Sequence, residues 1–69
     1  MDEYSRIVLE RYCSENRKRK LARLVMLSYD PGAEVTDADA LYLEKLIDEI
    51  ADEELKRALQ DLDDYLFSW

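Results

Sequence analysis

The 69 residues contain no histidine, one cysteine, one glycine and one proline. Without histidine the chain lacks the commonest general base near neutral pH, and with it the usual catalytic triads. Histidine metal ligands are missing too, and one cysteine cannot complete a zinc site. The Glu-x-x-His pattern of di-iron helical bundles cannot occur. Gly32 stands alone, so there is no glycine-rich loop to hold phosphates. The chain is read as no enzyme, with no cofactor and no metal.

The lone Cys13 cannot form an internal disulfide, so a reducing, cytoplasmic setting is expected. Its simplest role is a small buried apolar residue. A reactive thiol or an intersubunit bridge is the functional alternative. The apolar run Leu24-Val25-Met26-Leu27 is four residues long and none is longer. A membrane-spanning helix needs ~20 such residues, so no membrane partner is expected. The start, MDEYSR, is acidic and has no apolar core of the kind a secretory signal carries.

Charge and helix formers are plentiful. Of all residues, 39% are charged and 48% apolar, a balance that fits a folded chain. Leu, Glu, Ala, Lys and Arg are frequent, and glycine and proline scarce, which points to an all-α fold. A core built from so few residues supplies ~3–5 kcal/mol. A homodimer or a partner protein is therefore expected to complete it.

The stretch VTDADA carries a helix start. Thr36 caps, and Asp39, three positions on, reaches back to the Thr36 amide in a capping box. Asp37 and Asp39 place negative charge in the first turn, where the helix dipole favours it. Upstream, Pro31 disfavours helix at Asp30 and Gly32 suits a turn. Two helical regions follow, about 2–29 and 37–68, joined by a loop over 30–35.

In the second region Ala40, Leu43, Ile47, Ala51, Leu55, Ala58, Leu59, Leu62, Leu66 and Trp69 recur at steps of three and four. Asp52 with Lys56 and Glu53 with Arg57 offer i,i+4 pairs. Residues 50–54 read either as part of one long helix or as a joint at which Asp52 caps a new one. In the first region Tyr4, Ile7, Val8 and Tyr12 share a face, with Leu9 and Cys13 beside it. Ser14 to Lys20 contains no apolar residue, so the helix either runs past the core or breaks near Ser14-Glu15-Asn16. The stripe resumes at Leu21. The expected architecture is a helical hairpin or a small three- to four-helix bundle.

The charge is unevenly divided. Residues 1–29 sum to +3 and residues 30–69 to −10, within a net −7. The basic side is concentrated in Arg17, Lys18, Arg19, Lys20 and Arg23. Such a run can bind nucleic-acid phosphates, and a small nucleic-acid-binding regulator is one reading. However, ten net negative charges on the same small body oppose a duplex, and DNA-binding domains usually carry a basic balance. In a second reading the run balances the chain's own acidic half, or a sister chain's, in a structural homo-oligomer.

The third reading makes the acidic half the working surface. Asp61, Asp63 and Asp64 stand in the last turns of a helix, where the dipole disfavours them. A basic partner would explain them. Small acidic helical proteins can present carboxylates where phosphates would sit, as a DNA mimic does. The sequence is best read as a non-catalytic inhibitor or adaptor that docks on a basic site of another protein, with the basic run as counter-charge. Its contact residues are Glu44, Asp48, Asp52, Asp61 and Asp64, with Phe67 and Trp69 as apolar anchors. Glu44, Asp48 and Asp52 at i,i+4 spacing would form one acidic stripe.

Overall fold

The computed structural model describes residues 1–30 and 34–67. Among these residues are four helices and no strand: α1 Glu3–Asn16, α2 Arg19–Leu27, α3 Asp37–Glu49 and α4 Glu53–Phe67. The expected turn at Pro31 and Gly32, and Trp69, lie outside the described residues.

Local chemistry sets each helix boundary. Asp2 caps α1, its carboxylate accepting from the Tyr4 amide at 3.4 Å. The helix stops at Arg17, which adopts the left-handed conformation at φ 53°, ψ 43°. The Lys18 amide then bonds back to the Cys13 carbonyl at 3.1 Å. The break therefore falls at residues 17–18, not at Ser14-Glu15-Asn16. Those three polar residues stay helical, because a helix continues until a residue leaves the right-handed region.

The capping box at the start of α3 is present in both halves. Thr36 Oγ1 accepts from the Asp39 amide at 3.2 Å, and Asp39 Oδ2 accepts from the Thr36 amide at 3.1 Å. Over its described residues, 37–67, the second region is two helices rather than one. Ile50 is extended at φ −88°, ψ 129°. Asp52 Oδ1 then accepts from the Leu55 amide at 3.1 Å, with Glu53 and Glu54 in the new first turn. A short acidic side chain that can take an amide at a helix start favours that break.

The pair α1 and α4 make the most extensive contact, α2 packs on α1 and α3 on α4, and side chains of α2 also reach α3. The radius of gyration is 10.9 Å, against about 11 Å for a compact chain of this length. A single core joins all four helices, with Leu9, Leu21, Leu24, Leu43, Leu59 and Leu62 fully enclosed. No described helix is long and apolar enough to cross a membrane.

Two expected faces are rotated. On α1 the buried positions are Ser5, Val8, Leu9 and Cys13, while Tyr4 and Ile7 are more than half exposed. The α1 stripe therefore leads with Leu9, because α2 and α4 cover both sides of that line. On α3 Leu46 is buried and Ile47 only half-buried. Ala51, in the joint, is exposed.

Candidate interaction surface

The basic run divides into two groups. Lys20 and Arg23 lie on the side of α2 that meets α3. Arg23 donates to Asp39 Oδ1 at 3.1 Å, and Lys20 Nζ sits 4.8 Å from the centre of the Tyr42 ring. Arg23 is an internal counter-charge, and both side chains bridge α2 to α3. Arg17, Lys18 and Arg19 do not take part in that bridge. They are exposed and edge a groove between α1 and α2. Of the five basic residues of the run, Arg23 is the one that pairs with an acid among the described residues.

Asp39 is 4% exposed, and its carboxylate accepts from the Arg23 guanidinium and the Thr36 amide. The Thr36 amide, the Thr36 hydroxyl and the Arg23 guanidinium hold its carboxyl below the ordinary 3.8, and burial opposes them. Among the described residues, the other ion pair joins Arg11 to Glu54 at 3.7 Å, between α1 and α4. Glu54 also receives the Tyr4 hydroxyl. The i,i+4 pairs of Asp52 with Lys56 and Glu53 with Arg57 do not close, and Asp52 is occupied as a cap.

The acidic contact residues separate by neighbour. Asp52 leaves the stripe with Glu44 and Asp48, because the helix ends between them. Asp61 is half-buried, and its Oδ2 accepts from the Asp2 amide at 3.0 Å, which fastens the start of α1 to α4. Phe67 packs against the core rather than facing outward. Glu44, Asp48 and Asp64 are exposed, and none is within 4 Å of a described cation.

Asp63 is not among the contact residues expected from the sequence. Its carboxyl is pushed above its ordinary value, first by burial, then by Asp64 and by Glu44 of the neighbouring helix. Asp61 and Asp63 flank the buried Leu62 on opposite sides of α4. One side meets α1 and the other meets α3, so only the second joins the acidic face. Sequence periodicity reveals the two flanks, but it does not say which helix covers each. The α3–α4 face therefore gathers Glu44, Asp63 and Asp64, with Asp48 one turn along α3 from Glu44. Among the described residues no group of three or more acidic or thiol side chains is placed to hold a metal ion.

Cys13 is buried, and burial followed by the nearby Glu10 raises its thiol to about 11. It is neutral at physiological pH and therefore a poor nucleophile.

No family model matches the chain, and no curated protein and no solved structure matches it.

Proposed function

We propose that the chain is a non-catalytic protein-binding module, a small inhibitor or adaptor that docks its acidic α3–α4 face on a basic site of a partner protein. The observation that carries this reading is the crowding of Glu44, Asp63 and Asp64 without a cation among them. Like charges gathered on one face oppose folding, so the fold itself gives no reason to keep them. The ion pairs among the described residues lie elsewhere: Arg23 on Asp39, and Arg11 on Glu54. A basic partner surface would relieve the repulsion and speed association through complementary charge. A partner that normally holds a nucleic acid presents such a surface.

Direct nucleic-acid binding is the weaker alternative. Two of the five cations in the run, Lys20 and Arg23, are already committed to α3. The remaining three stand on a body with a net charge of −7.

The test is affinity capture from source-cell lysate, with and without nuclease, at low and moderate salt. The wild-type chain is compared with a Glu44→Gln, Asp63→Asn, Asp64→Asn variant. Under the proposal a protein partner survives nuclease, weakens with salt and is lost with the variant. Capture that the variant leaves intact rejects the acidic face. Capture that disappears with nuclease moves the function to Arg17, Lys18 and Arg19.

A further inference from the structure

A groove of about 590 Å³ runs between α1 and α2, away from the acidic face. Glu10, Cys13 and Ser14 line it from α1, Arg17 from the turn, and Arg19, Ala22, Val25 and Met26 from α2. Lys18 closes the end where the chain turns. Its middle is apolar, formed by Cys13, Ala22, Val25 and Met26. Met26 is 63% exposed, a large apolar side chain with no covering neighbour. Small-molecule sites have this character, apolar walls with a few polar groups at one point, and span ~300–1,000 Å³.

We infer that this groove binds a small amphiphilic organic anion, a carboxylate with an unbranched apolar body. The head would lie among Arg17, Lys18 and Arg19, and the body over Ala22, Val25 and Met26. The inference is independent of the function proposed for the α3–α4 face.

Three observations support it. The first is charge at one end only. Arg17, Lys18 and Arg19 are exposed and take part in no ion pair among the described residues. Glu10 stands at the far end, where it accepts from the Tyr29 hydroxyl at 2.8 Å. A ligand with anionic groups along its whole length would meet Glu10, whereas one with a single anionic head would not.

The second is Arg17 itself. A left-handed position after a helix is where glycine costs least, because any Cβ crowds the following carbonyl. Arginine stands there at φ 53°, and its side chain lines the groove. A guanidinium can receive a carboxylate through two parallel hydrogen bonds. Its presence gives a reason to accept the unfavourable backbone, and strained positions of this kind gather at binding sites.

The third is size. Glu10 and Arg17 are seven residues apart, so the groove is about 10 Å long. A stable protein interface buries about 800 Å² on each partner, far more than this groove offers. A helix of two turns is also marginal before it binds. A second copy brings its own net charge of −7 as well. A small amphiphile meets none of these penalties. The neutral Cys13 thiol contributes apolar surface to the wall and no covalent step.

The test is a methyl NMR titration of the full chain with decanoate, kept below its micelle concentration. Decanol and decyltrimethylammonium serve as controls with the same body and a different head. The expected result is saturable shifts at Ala22, Val25 and Met26, with decanol about tenfold weaker and the cation weaker still. Arg17→Gly, which relieves the backbone, and Met26→Ser, at an exposed site, should keep the helical circular dichroism and weaken decanoate about tenfold. Equal binding of decanoate and decanol, unchanged by Arg17→Gly, would overturn the inference, as would shifts spread over α3 and α4. If an acidic amphipathic peptide moves these methyl groups and decanoate does not, the groove is a peptide site and the assignment is wrong.

Discussion

Arg23 and Asp39 meet at 3.1 Å across the seam between α2 and α3, and the carboxylate that receives the guanidinium also caps α3. One buried carboxylate thus fixes a helix start and ties that helix to its neighbour. The capping half is the stronger. Arg23 is 60% exposed on its side chain, and an ion pair that open to water is worth ~0–1 kcal/mol.

Thr36→Ala removes one half of the box and should cost about 1 kcal/mol. For a chain of this length that lowers the melting temperature by about 4–8 °C. The pH dependence follows from Asp39. Its folded carboxyl lies below the ordinary 3.8, chiefly through the Thr36 amide. A depressed carboxyl contributes stability above its unfolded value and loses it as pH falls through the folded one. Melting from pH 6 down to about pH 2.5 should show a loss beginning below about pH 4. Asp39→Asn should remove that component of the loss. A variant that tracks wild type throughout would dismiss the role of Asp39.

Arg17→Gly should raise the melting temperature. The left-handed backbone at φ 53° costs an L-residue ~1–2 kcal/mol. Glycine escapes that cost but loses part of the gain to its freer unfolded state. The expected net effect is a stabilisation of about 0.5–1 kcal/mol, read by thermal melting. A lower melting temperature would mean that the Arg17 side chain supports the fold.

Leu46 and Leu41 stand on the same helix with opposite fates, 8% and 65% exposed. Leu46→Ala should cost ~2–5 kcal/mol. That is comparable to the whole stability of a chain this small, so a large unfolded population is expected at 25 °C. Leu41→Ala should change stability by no more than ~0.5 kcal/mol. Urea unfolding followed by circular dichroism separates the two. Equal effects would mean that the face of α3 has been misassigned.

Asp63→Asn should stabilise the chain at neutral pH. Burial, then Asp64 and Glu44, raise the Asp63 carboxyl above its ordinary 3.8. Where the native state holds the proton more tightly than the unfolded chain, stability falls as pH rises through that window. The gain from Asp63→Asn should therefore be full at pH 7 and vanish below about pH 4. If the acidic face is the docking surface, the same variant should bind the partner more weakly. A variant both more stable and equally tight would separate the carboxylate from function.

Much of the fold is legible along the chain. Thr36 and Asp39 announce a helix because a capping box is made of neighbours in sequence. The alternatives at residues 50–54 already contain the correct joint, since Asp52 can cap whatever follows it. Leu55, Leu59, Leu62 and Leu66 mark the inner side of α4 by spacing alone. The candidate site is less legible. Arg23 and Lys20 are indistinguishable from Arg17 and Arg19 in the sequence, yet the first two face α3 and the others edge a groove.

By itself the sequence determined the all-α character, the principal capping residues and the absence of histidine-based chemistry. These depend on residue type and on spacings within a few turns. Only the tertiary structure decided that α1 is covered along Leu9 rather than Tyr4, and that Asp61 serves the start of α1 while Asp63 joins Glu44. It likewise turned Phe67 inward. The reason is geometric. Periodicity fixes which side chains share a face of a helix, but a face is buried, paired or left open by whichever helix packs against it, and that choice belongs to the whole chain.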